Sequence, residues 1–157
     1  MTRRCVFLDR DGVINVKPPD GDYVRSWSGF RFLPNIADWI RLFNALGFLV
    51  IVISNQRGIA RGIMGAADVD EIHANMRREL AAIGARIDDI FVCPHEEGAC
   101  DCRKPQPGLV RQAVAKWNIG LSGSILIGDS SRDRELAAAC GLRYVEVRDG
   151  QIRQVGN

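Results

Sequence analysis

Five short apolar runs, CVFL (5–8), FLVIVI (48–53), IFV (90–92), SILI (124–127) and YVEV (144–147), recur along this chain, and between them the apolar residues change period. The runs have the length and composition of strands. Ile36, Trp39, Ile40, Phe43 and Leu46 fall instead at the three- and four-residue spacing of a helix face. So do Val69, Ile72, Met76, Leu80 and Ile83, and then Leu109, Ala113, Val114 and Trp117. Gly47, Gly84 and Gly141 stand where a left-handed residue closes a helix. Strands alternating with helices predict an α/β fold, a parallel sheet with helices on both faces. FLVIVI, apolar at every position, suits a central strand buried on both sides. The 157 residues, 46% of them hydrophobic, suffice for one domain, 1–157, with a sizeable core.

Several classes of function are disfavoured. The 21 basic and 19 acidic residues are interspersed, with no polycationic run to attract nucleic acid. No apolar run approaches the roughly 18 residues that cross a bilayer, and Met1-Thr-Arg-Arg leads into an apolar stretch too short for a signal peptide. Neither a G-x-G-x-x-G nor a G-x-x-x-x-G-K-[ST] motif occurs, so a dinucleotide or P-loop role has no support. A cytoplasmic monomer is expected, with no nucleic-acid or membrane partner.

In parallel α/β sheets the ligand sits beyond the carboxyl ends of the strands. Asp9 and Asp11 follow the first run, Ser54 and Asn55 the second, and Gly128, Asp129 and Ser130 the fourth, while Lys104 lies in the connection after the third. Asp9 and Asp11 point to one side if extended geometry persists through Arg10. Two unit charges about 4 Å apart repel by roughly 4 kcal/mol at an effective dielectric near 20. A shared proton, a basic side chain or a bound cation must offset that cost. Three carboxylates, a hydroxyl and a lysine suit a divalent cation and a phosphate. Magnesium would take Asp9 and Asp129, with the main-chain carbonyl at Asp11 as a further oxygen. A carboxylate can attack phosphorus to give an acyl phosphate. A protonated Asp11 could donate to the leaving oxygen and later take a proton from water. Ser54 and Lys104 would hold the phosphoryl oxygens, with N–H groups of the turn through Gly12 adding to them. Taken alone, D-x-D reads equally as a surface turn, Gly-Asp before a helix as an N-cap and Ser-Asn as a turn. Their joint placement after successive strands favours a site. His73 reads as surface, and Cys5 and Cys140 as core thiols.

Cys93, His95, Cys100 and Cys102 place three sulfurs and an imidazole within ten residues. Cys3His is a closed structural zinc set. A disulfide among them would leave an odd thiol and need oxidising surroundings. Zinc is therefore expected to fold the loop 93–107 and to aim Arg103 and Lys104 at the phosphate.

FLDRDGVIN, ISNQRGIARG, CRKPQPG and LIGDSSRD resemble, in order, the four motifs of the haloacid dehalogenase superfamily of phosphatases, over residues 5–147. The resemblance implies a Rossmann-like fold without a cap domain, carrying a zinc-binding loop, and a magnesium-dependent phosphomonoester hydrolase. It implies Asp9 as nucleophile, Asp11 as acid/base, Ser54 as phosphate-binding hydroxyl, Lys104 as charge-stabilising lysine and Asp129 as metal ligand, with Asp133 supporting that end. Two capless, zinc-loop groups are similar. NQRGIARG and CRKPQPGL resemble the heptose 1,7-bisphosphate phosphatases. The four residues between His95 and Cys100 resemble the histidinol-phosphate phosphatases, and Arg57 stands where a small residue is usual. The expected substrate is a small phosphorylated molecule, first a heptose bisphosphate losing its 7-phosphate, with histidinol phosphate as the alternative. Asn55, Arg57, Arg61 and Arg103 are the expected substrate contacts, the arginines steering a second anion; Arg57 and Arg61 read equally as solvated charge. A zinc-stabilised binding module without catalysis is the alternative outside enzymes.

Overall fold

Residues 1–153 are described by the structure, a computed structural model. The apolar runs become strands β1 (Cys5–Leu8), β2 (Leu49–Asn55), β3 (Asp89–Cys93), β4 (Ile125–Gly128) and β5 (Arg143–Arg148). Between them lie helices α1 (Ile36–Ala45), α2 (Ala66–Ala82), α3 (Gly108–Trp117) and α4 (Ser131–Cys140). The sheet order is β3-β2-β1-β4-β5-β6, with parallel pairing throughout except at β6 (Gln151–Arg153), which is antiparallel to β5. The apolar pattern of the sequence does not predict that edge strand. Asp149 and Gly150, both at positive φ (52° and 73°), form the two-residue turn between Arg148 and Gln151. An Asp-Gly turn of that kind matches the twist of a hairpin.

The two faces of the sheet separate by strand alternation. Val6, Leu8, Val50 and Val52 pack against Ile40 of α1 and Ile72 and Met76 of α2. Cys5, Phe7, Leu49, Ile51 and Ile53 pack on the other side against Leu109 and Ala113 of α3 and Leu136 of α4. Both faces of β1 and β2 are thereby removed from water, which is why they read as unbroken apolar runs. Gly47, Gly84 and Gly141 do have positive φ, at 82°, 81° and 68°. Leu46 and Ile83, counted with the helix faces, lie just past α1 and α2 and are exposed, as is part of Trp39.

From β1 the chain steps outward to β2 and β3, then returns to the other side of β1 for β4 and β5. The carboxyl ends of β1 and β4 therefore flank the switch point where such sheets open a crevice. Among the described residues no helix is long and apolar enough to cross a membrane.

Candidate active site

Asp9 is the first residue beyond β1, and the cation that faces it comes from the connection after β3. Lys104 Nζ donates to Asp9 Oδ1 at 2.8 Å and to Asp133 Oδ1 at 2.8 Å. The lysine side chain is only 3% exposed. Burial opposes its charge, but Asp9 and Asp133 overcome that and hold its pKa above the ordinary value. Burial, reinforced by Asp133 and Asp129, pushes Asp9 well above the usual carboxylate range despite Lys104. Asp133 goes the other way: burial would raise it, but Lys104 and the Ser130 hydroxyl, which donates to Asp133 Oδ2 at 2.9 Å, keep it low. Gly128 leaves room for this arrangement, since a Cβ there would lie 2.3 Å from Asp133 Cβ.

Asp9, Asp129 and Asp133 bring carboxylate oxygens within 4.8 Å of one another. Asp133 has both oxygens engaged, Oδ1 by Lys104 and Oδ2 by Ser130, whereas Asp9 is held only through Oδ1 and Asp129 only through Oδ2, so Asp9 and Asp129 are the pair with an oxygen open to a cation. Lys17, half-exposed, reaches Asp129 Oδ2 at 3.2 Å. Gly12, at φ 90°, lets Asp129 approach: a Cβ on it would lie 2.0 Å from Asp129 Oδ2. Of the N–H groups in this turn, that of Gly12 is not an open donor to the crevice, because it donates to the Asn15 carbonyl at 2.8 Å. The tight turn consumes it.

Asp11 has its own cation. The fully buried Arg10 donates from Nε and Nη2 to Asp11 Oδ1 at 3.0 and 2.9 Å, and Asn15 Nδ2 donates to the same oxygen at 2.9 Å. The two aspartates are thus tolerated side by side by dividing their partners, Lys104 for one and Arg10 for the other. The Asp11 carboxylate stands apart from the Asp9, Asp129 and Asp133 group. Arg10 Nη1 lies 3.1 Å from His73 Nε2 on α2. His73 is not surface: it is 6% exposed, and burial with Arg10 beside it drops its pKa to about 3. An amphipathic count cannot separate such a histidine from a solvated one, since the partner lies 63 residues away.

Ser54 and Asn55 are the last two residues of β2 rather than part of the loop, because β3 pairs alongside them through Val92 and Cys93. Ser54 is buried and accepts from Gln56 Nε2 at 2.8 Å, leaving its own O–H free to donate. Asn55 accepts from the Lys104 N–H at 2.9 Å and donates to the Lys104 carbonyl at 3.2 Å, so it clamps the backbone of the lysine. Arg57 lines the crevice, donates to Tyr23 Oη at 3.3 Å and lies 3.5 Å from Glu96. Arg61 sits outside it in a surface pair with Glu96. Arg103 is 6% exposed, and its Nε and Nη1 have no partner although it lines the crevice. Burial, with Arg132 and Arg57 nearby, works against its charge. Lys17, Tyr23 and Arg132 also line the crevice and carry no periodic signal in the sequence.

Beyond β3 the cysteine loop closes on itself. Cys102 Sγ lies 2.9 Å from Cys93 Sγ and 3.5 Å from Cys100 Sγ, and His95 Nδ1 is 3.3 Å from Cys102 Sγ. All the cysteines are free thiols. The Arg103 N–H donates to Cys100 Sγ at 3.4 Å, tying the crevice wall to the cluster. Gly108 packs beneath the loop, where a Cβ would lie 2.5 Å from the Asp101 carbonyl oxygen.

A HAD-hydrolase-like family model matches residues 101–155. The chain is 43% identical over 148 residues to a D-glycero-beta-D-manno-heptose-1,7-bisphosphate 7-phosphatase of Rhodopseudomonas palustris, across 89% of this chain and 81% of that protein. It is 44% identical over 135 residues to a D-glycero-alpha-D-manno-heptose-1,7-bisphosphate 7-phosphatase of Mycobacterium tuberculosis, across 85% and 70%. The crystal structure of the D,D-heptose 1,7-bisphosphate phosphatase from B. bronchiseptica, complexed with magnesium and phosphate, matches with a TM-score of 0.83 at 36% identity, over 90% of this chain and 78% of that one.

Proposed function

We propose a reaction for this chain, which belongs to the heptose-1,7-bisphosphate 7-phosphatase family of haloacid dehalogenase-like hydrolases: it removes the 7-phosphate of a D-glycero-D-manno-heptose 1,7-bisphosphate through an aspartyl phosphate on Asp9. The observation that carries the reading is the meeting of Asp9, Lys104 and Asp129 at the switch-point crevice, in a wall that also holds the unpartnered Arg103 guanidinium. An Asp9 oxygen attacks phosphorus, the bond from phosphorus to the sugar oxygen breaks, and the proton held by Asp11 passes to that oxygen. Water then gives a proton to Asp11 while its oxygen attacks phosphorus. The bond to Asp9 breaks, freeing phosphate and restoring both groups. Lys104 and the free Ser54 O–H hold the phosphoryl oxygens as charge builds. Asn55 keeps Lys104 in place through its backbone.

The donor set fits magnesium, because three carboxylates bring oxygens within 4.8 Å of one another, the one buried ammonium engages only Asp9 and Asp133, and Asp9 and Asp129 each keep an oxygen without a partner. Asp9 and Asp129 would hold it with the main-chain carbonyl at Asp11, and when bound it neutralises charge on the incoming phosphate. The set Cys93, His95, Cys100 and Cys102 fits a closed tetrahedral zinc, which would fix loop 93–107 and hence Arg103. A cytoplasmic setting suits these reduced donors.

Arg57 and Arg103 favour a second anion over the cationic amine of histidinol phosphate. The short loop between His95 and Cys100 is the feature that favours the latter. Phosphate release from heptose 1,7-bisphosphate, a heptose monophosphate and histidinol phosphate under one set of conditions separates them. The expected order of kcat/KM is bisphosphate first, and histidinol phosphate leading would overturn the substrate while leaving the phosphatase chemistry.

A further inference from the structure

We propose that His73 is a positioning residue for the acid/base, holding the Arg10 guanidinium in the plane that presents Asp11 to the leaving group. The inference rests on the role given to Asp11 above. Arg10 Nε and Nη2 both donate to one oxygen, Asp11 Oδ1, at 3.0 and 2.9 Å. Two N–H groups converging on a single atom leave the guanidinium free to pivot about it, unlike a fork that engages two oxygens. A third fixed point stops the pivot, and His73 Nε2, at 3.1 Å from Nη1, provides it. Arginine has no acceptor, so Nε2 must accept and His73 must be neutral with its proton on Nδ1.

The same geometry assigns the two oxygens of Asp11. Oδ1 accepts two N–H groups from Arg10 and one from Asn15, so it has no room for a proton. Oδ2 has only the Gln56 amide, at 3.5 Å, and is the oxygen that carries the proton to and from the reacting centre. If the guanidinium swings, Oδ1 keeps only the Asn15 amide, the carboxylate can turn about that one contact, and the proton on Oδ2 loses its aim. An apolar residue at 73 would fill the space without supplying the acceptor, leaving one N–H of a buried cation unpaired.

The test compares His73→Leu, His73→Gln and Asp11→Asn on two substrates, a sugar phosphate and p-nitrophenyl phosphate. The aryl leaving group departs without help from an acid, so kcat/KM for it reports phosphoryl transfer without the Asp11 proton. His73→Leu should lose about tenfold or more in kcat/KM on the sugar phosphate, a share of the 10²–10⁴ that one acid/base group supplies. Its KM, and its kcat/KM on the aryl phosphate, should stay within about twofold. His73→Gln, whose amide oxygen can still accept from Nη1, should restore the sugar-phosphate rate. Should the leucine variant fail to fold, His73→Asn, polar but too short to reach Arg10, is expected to show the same selective loss. Equal loss on both substrates, or none in a folded variant, overturns the inference while Asp11→Asn retains its selective defect. If Asp11→Asn itself slows both substrates equally, the role of Asp11 falls and that of His73 with it.

Discussion

Lys104 Nζ stands 2.8 Å from Asp9 Oδ1 across 95 residues of sequence, and the same ammonium, at 2.8 Å, also holds Asp133. One buried cation thus serves the proposed nucleophile and the carboxylate that anchors the first turn of α4. Replacing Lys104 with Met keeps the length and removes the charge. Breaking a buried pair from one side costs about 3–5 kcal/mol, because the remaining charges are left uncompensated. Urea unfolding should register that loss, and turnover should fall about 10²–10³-fold with one charge-stabilising donor gone. Unchanged stability would mean the ammonium is not the partner these carboxylates depend on.

Arg103 is buried with two guanidinium nitrogens unpartnered, a state that an incoming anion relieves. Arg103→Ala should narrow the preference for a bisphosphate over the matching monophosphate. The loss should fall mainly on KM if the contact is as strong in the ground state as in the transition state. Equal kinetics on both substrates in the parent enzyme would remove the second-anion subsite.

The two proposed metals should separate cleanly. Chelating magnesium should stop turnover reversibly and leave amide exchange unchanged. Removing zinc should speed exchange in 93–107, tethered as it is through Arg103 N–H to Cys100. Structural zinc contributes about 10–16 kcal/mol in isolated peptides, and a loop fastened at both ends should feel less. Zinc-free protein with normal exchange there would show that the four donors are not a metal site.

His73 makes stability depend on pH. In the folded protein its pKa is lowered from 6.5 to about 3 by burial and by Arg10. Between those values the unfolded chain binds the extra proton, so stability rises with pH and is lost as pH falls below about 6.5. The slope approaches about 1.4 kcal/mol per pH unit for one such group. Urea midpoints of the parent and of His73→Gln should converge, or cross in favour of glutamine, as pH is lowered. Parallel curves would show that the imidazole takes up its proton without cost.

How far the sequence reveals all this follows from what each feature rests on. The strands and the cysteine cluster depend on local composition, and so Cys5–Leu8, Leu49–Asn55 and the four donors at 93–102 were legible, apart from the ends of the strands. The hairpin to β6 was locally encoded too, in Asp149-Gly150, and escaped because the three residues after it are too few to show alternation. Arg10 and His73 could not be read, since the burial of a cation and an imidazole follows from α2 packing on the sheet rather than from spacing along either segment. Which N–H groups of the turn through Gly12 are spent within it is hidden for a related reason: a turn that tight uses the Gly12 donor itself.

Asp9 is the proposed carrier of the phosphoryl group. Enzyme quenched in acid during turnover, reduced with borohydride and digested, tests it by mass spectrometry. Borohydride converts an acyl phosphate to an alcohol, so Asp9 should appear as homoserine, and Asp9→Asn should yield no such product and no turnover. Reduction at a different carboxylate, or none in an enzyme caught turning over, would mean that Asp9 is not the nucleophile.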